Sequence, residues 1–94
     1  KKEHIQFIQS NHVYVSIHTI NNNKPNLIRN SLQNVLSLLN SSDFIQVHRC
    51  YIVNLKRVSK INRIELYIGS HRIPIGKTRQ KGIAKNLTNK HLLK

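Results

Sequence analysis

Six histidines, three carboxylates, one thiol and sixteen lysines and arginines are the groups in this 94-residue chain able to do chemistry. The acids are so few that they decide most. Glu3, Asp43 and Glu65 lie far apart, and no two have the spacing that would share a helix face. That disfavours both a paired-carboxylate hydrolase and a carboxylate metal site. His4, His12, His18, His48, His71 and His91 show no HExxH or related metal spacing. A nuclease using two imidazoles as acid and base, with a lysine on the phosphate, has its residue types here, but no spacing selects a pair. The ordinary reading of each histidine is a surface or hydrogen-bonded strand position. Cys50 follows Arg49, a neighbour that can activate a thiol. More often such a cysteine is a small core residue, and that reading is favoured. A single cysteine rules out an intrachain disulfide and a thiolate zinc cluster. No metal and no cofactor is expected.

The cations carry the strongest signal. The formal net charge is +13, which attracts polyanions: DNA, RNA or an anionic membrane surface. Residues 1–48 hold Lys1, Lys2, Lys24 and Arg29 against Glu3 and Asp43, a net of +2. The remaining residues hold twelve cations against Glu65, a net of +11. The second half should therefore supply most phosphate contacts. No apolar run approaches the ~20 residues of a membrane span, and no basic amphipathic helix suggests a membrane surface, so no membrane partner is expected. One thiol and no signal peptide fit a cytoplasmic setting. Ninety-four residues make one domain, 1–94, and because the chain starts without Met it is read as cut from a longer protein.

Mostly strands must position these groups. Ile5 to Gln9 reads as a strand, with Asn11 and His12 as a turn. Val13, Val15 and Ile17 then alternate with polar residues, as in a half-buried strand. Asn21 to Pro25 turns into a short strand, Leu27 to Arg29. Leu32, Val35, Leu36 and Leu39 share one face of a helix over 31–39, which Asn30 or Ser31 can cap. Strands follow over Phe44 to Val47 and Tyr51 to Val53. Residues 64–75 form a hairpin about Gly69 and Ser70, and Pro74 places its strand at an edge. Residues 77–87 turn weakly helical.

The helix is nearly uncharged and apolar on one face, so it belongs to the core. Any DNA reading must come from loops and strand ends rather than from a helix-turn-helix. Lys77, Arg79 and Lys81 alternate after Ile75, while Lys56, Arg57, Lys60 and Arg63 flank short apolar segments. With so few acids, these charges have little to pair with inside the protein. Arginine suits base readout because its planar fork bonds guanine O6 and N7 together, which favours Arg49 and Arg79. His12, at its turn beside Asn11, can also reach a base edge or a phosphate. The aromatics Phe7, Tyr14, Phe44, Tyr51 and Tyr67 lie in strand-like segments, so a platform for stacking single-stranded bases is weakly supported. Structured RNA remains the alternative ligand on charge alone.

The stretch His48-Arg49-Cys50-Tyr51-Ile52-Val53-Asn54-Leu55, followed by Val58 and Ile61, resembles the signature of the LytTR DNA-binding domains, roughly His-Arg-Ser-Tyr-Ile-Val-Asn. Ile73-Pro74-Ile75-Gly76-Lys77-Thr78-Arg79 is similar to the family's second signature, an apolar-Pro-apolar-Ser-basic run. Asn11 to Val15 resembles the start of its first strand, and Leu32 to Leu39 with Asp43-Phe44 its single helix and exit. The likeness covers about residues 3–87 and leaves 88–94 as a loose tail.

The resemblance implies a mainly β fold of small antiparallel sheets in an elongated arrangement, with one short core helix. It implies sequence-specific binding of double-stranded DNA by a bacterial transcriptional regulator, with no enzymatic activity. Loops would read successive major grooves, often bending the duplex, and domains would pair on direct repeats. A phosphorylatable N-terminal receiver domain would precede the domain in a two-component response regulator. Carried over by position, His12, Arg49 and Arg79 become base contacts. Asn11, Lys56, Lys77 and Lys81 become phosphate contacts, and Asn54 makes a structural turn bond. Two positions depart from the pattern. Cys50 replaces a serine, and so does Gly76, where the chain either loses any hydroxyl contact to phosphate or supplies a backbone N–H instead.

Overall fold

The computed structural model describes residues 2–80, 82 and 83. Consecutive strand residues face opposite ways, and here both ways are apolar. Strand β1 (Ile5–Asn11) buries Phe7 on one face and Ile8 on the other. Strand β5 (Tyr51–Asn54) pairs with it antiparallel, setting Val53 opposite Phe7 and Ile52 opposite Ile8. With β2 (Tyr14–Thr19), β3 (Asn26–Arg29) and β4 (Phe44–His48) these strands form a five-stranded antiparallel sheet in the order β3-β2-β1-β5-β4.

Helix α1 (Leu32–Leu39) covers one face. Its Leu32 and Val35 pack with Ile8, Val15, Phe44 and Ile52. The Ser31 side chain caps it by accepting a 3.1 Å bond from the Asn34 N–H. Asn40, at φ 43°, ends it with its N–H on the Leu36 carbonyl. A three-stranded sheet covers the other face, built from β6 (Lys60–Ile61), β7 (Glu65–Ile68) and β8 (His71–Pro74). Its Leu66, Ile68 and Ile73 pack with Phe7, Val47 and Val53. The layers run helix, sheet, sheet, and the molecule measures 35 × 27 × 22 Å. Short 3-10 turns occupy Lys2–His4, Leu55–Arg57 and Lys77–Arg79.

The expected mainly β architecture with one core helix is what forms. Gly69, at φ 59°, makes the β7–β8 turn, and Pro74 lies on edge strand β8. Two local expectations shift. Val13 is not an inward strand residue. The β1–β2 loop takes His12 and Val13, which leaves Val13 about half exposed. Cys50 is half-buried in the β4–β5 turn rather than in the core. Of the weak C-terminal helix, residues 80, 82 and 83 are helical. Residues 84–87 and the expected tail 88–94 lie outside the described residues. No helix among the described residues is long and apolar enough to cross a membrane.

Candidate nucleic-acid interface

Antiparallel alternation sends every second turn of the large sheet to the same end. The β1–β2 hairpin closes at Asn11 opposite Tyr14, and Tyr14 also faces Arg29 at the exit of β3. Gln9 faces Tyr51 across β1 and β5, which brings the β4–β5 turn (Arg49 and Cys50) to that same end. A 2.8 Å bond from the Ser10 N–H to the Cys50 carbonyl ties the two hairpins together. Beyond β4, the Gly76 N–H donates to the Val47 carbonyl at 2.7 Å and brings Lys77 to Arg79 alongside. One rim therefore carries, in order, Arg29, His12 with Asn11, Arg49, and the Lys77–Arg79 turn. All seven of these polar residues are exposed.

The first turn is held by a backbone bond and the second by side chains. At the first, His12 sits at φ 62°, a conformation that costs a non-glycine residue about 1–2 kcal/mol. The Asn30 N–H holds this hairpin by donating to the Val13 carbonyl at 3.2 Å. At the second, His48 Nδ1 accepts from the Cys50 N–H at 3.1 Å, and its ring meets Tyr51 edge-on at 5.7 Å. The Gln46 amide donates to the His48 carbonyl at 3.2 Å. His48 thus shapes the turn that presents Arg49. Asn54 has the structural role expected of it. It is buried, its amide donates to the Ile5 carbonyl at 2.9 Å, and its oxygen accepts from the Lys56 N–H at 3.0 Å.

Electrostatics favour an external anion at the rim. Among the described residues, ion pairs join Lys56 to Asp43 at 3.6 Å and Arg72 to Glu65 at 3.5 Å. Neither involves Arg29, Arg49, Lys77 or Arg79. Glu65 also accepts from the Tyr67 hydroxyl at 2.8 Å.

The structure gathers His12, Asn11, Arg49, Lys77 and Arg79, and it sets Lys56 apart. Lys56 follows the far end of β5, beside Asp43, Glu3 and Arg57, whose guanidinium donates to the Glu3 carbonyl at 2.6 Å and 3.2 Å. Lys81 lies outside the described residues. Of the two alternatives at Gly76, the backbone N–H is already bonded to the Val47 carbonyl, which disfavours it as a substitute phosphate donor and leaves loss of the contact. A Cβ there would meet its neighbours at ordinary distances of 3.6–3.7 Å, so packing does not demand glycine. Arg29 is the residue that sequence reasoning missed. Strand alternation was the available signal, since β3 must end where the β1–β2 hairpin turns.

The LytTr DNA-binding domain family model matches residues 1–88. Among solved structures, the fold is similar to a LytTr DNA-binding domain from a methyl-accepting/DNA response regulator of Bacillus cereus. The TM-score is 0.80 at 20% identity, covering 92% of this chain and 83% of that one. At that identity the likeness is one of fold.

Proposed function

The chain belongs to the LytTR DNA-binding domain family, and from that premise we propose that it reads specific duplex sequences for a bacterial transcription regulator. One observation carries the reading: the basic rim presents His12, Arg49 and Arg79 together, with no carboxylate pairing their cations among the described residues. On this reading those three residues contact bases. Asn11, Lys77 and Lys81 contact phosphates, and Arg29 joins them at the other end of the rim. Lys56, paired at the far end, contributes little.

The rim's length supports reading in more than one groove. Five strands about 4.8 Å apart span about 19 Å, wider than the ~12 Å of one major groove. It is also shorter than the ~34 Å between successive major grooves on one face of B-DNA. Long arginine side chains and a bent duplex together close that gap. The role is one of binding rather than catalysis. In the full regulator the domain follows a receiver in a cytoplasmic two-component protein, and two domains occupy paired repeats.

The test is selection from random duplex DNA at near-physiological salt. A recurrent motif, present as two spaced copies, is the expected outcome. Absence of enrichment, with binding that only fades as salt rises, overturns sequence-specific reading. Preference for folded RNA over duplex at matched salt replaces DNA with RNA as the ligand.

A further inference from the structure

A second group of titratable side chains lies toward the end of the sandwich remote from the rim. His18 on β2 stacks flat on Phe7, with centroids 4.1 Å apart and planes at 12°. His71, the first residue of β8, meets Phe7 edge-on at 4.9 Å. The two imidazole centroids are 5.8 Å apart, at 64°. His18 Nε2 is buried and has no hydrogen-bond partner among the described residues. Buried polar atoms are nearly always partnered, and a bare one calls for a water or an ion. Beside the pair opens a cleft of about 400 Å³, lined by Gln6, Thr19, Asn22, Asn23 and Ser70.

We propose that His18 and His71 form a two-imidazole site for a divalent transition metal of the zinc, nickel or copper class. The geometry suits it. A metal about 2.0–2.1 Å from an imidazole nitrogen lies about 3.2 Å from that ring's centroid, so two ligating rings have centroids about 5–6.4 Å apart. The observed separation falls within that range. Imidazole selects borderline metals over magnesium or calcium, which prefer oxygen. Among the described residues no group of three or more histidine, cysteine or acidic side chains gathers around a metal position. Water and the amide and hydroxyl oxygens of the cleft complete the coordination.

This site is chemically independent of DNA binding, and its test does not depend on DNA. Zinc sulfate is titrated into the metal-free domain at neutral pH, with heat and histidine ring resonances recorded together. One zinc per chain is expected, with the His18 and His71 resonances shifting first. His71 is exposed, so His71→Ala should fold, and His18→Gln keeps a polar side chain of similar size. Each should lower zinc affinity at least about tenfold, as loss of a ligand must when loss of a supporting contact already costs that much. His12→Ala, on the rim, should bind zinc as the wild type does, and magnesium should leave both rings unmoved. Absence of zinc uptake, shifts confined to other histidines, or a His71→Ala domain that binds zinc unchanged would each overturn the site.

Discussion

Arg79 is exposed on the rim, and no carboxylate among the described residues pairs with it, which suits its guanidinium to a base edge. Arg79→Ala is expected to cost about 1–3 kcal/mol on the selected duplex and much less on a scrambled one. Equal losses on both, in a binding titration, would demote it to a phosphate contact. Arg29→Ala and Lys77→Ala should instead weaken all sequences alike, each lowering the slope of log K against log salt by about one unit. An unchanged slope for Arg29→Ala would remove Arg29 from the interface and leave the rest of the reading standing. Asn54 is a different kind of residue. Its two bonds tie the chain after β5 to the start of β1. Asn54→Ala strands a carbonyl and an N–H and should cost about 1–3 kcal/mol of stability. Chemical denaturation would measure this, with the DNA affinity of the folded fraction unchanged.

At the scale of elements, the β1–β2 hairpin holds strain where it meets the ligand. His12 occupies a conformation that glycine adopts freely, while glycine gives back part of the gain as unfolded-state entropy. His12→Gly should therefore leave stability within about 1 kcal/mol of wild type, whereas β-branched His12→Val should lose about 1–2 kcal/mol more. Both should lose affinity for the selected duplex, since both lack the imidazole. A thermal melt separates the two effects from binding. If His12→Val is as stable as His12→Gly, the hairpin is not strained as described. The helix–sheet layer is unstrained by comparison. Ile52 is fully buried beneath α1, and Ile52→Ala should cost about 2–5 kcal/mol through lost packing and the cavity left behind.

Over the whole molecule, charge and shape divide the work. The large sheet is a platform whose one end carries Arg29, Arg49, Lys77 and Arg79, none of them paired to a carboxylate among the described residues, while Asp43 and Glu3 sit at the other, beside Lys56 and Arg57. Affinity for the selected duplex is expected to fall steeply with salt, about 0.9 log units of K per log unit of salt for each phosphate neutralised. Lys56→Ala should leave that slope unchanged. A fall of a full unit would place the far end of the sheet on the DNA as well.

Much of this protein was readable along the chain. Period-two alternation marked the strands, the Leu32, Val35, Leu36 and Leu39 stripe marked the helix, and the motif from His48 to Leu55 pointed to the family. Those features are local, because backbone geometry alone decides which side a residue faces. What the tertiary structure decided was proximity. The Gln9–Tyr51 register joined the His12 and Arg49 turns, and the bond from Gly76 to Val47 delivered Arg79 beside them. The same long-range pairing added Arg29 to the rim, sent Lys56 to the far end and brought His71 against His18. No local pattern encodes such neighbours. They follow from which strand pairs with which, and that is settled by burying both faces of one sheet at once.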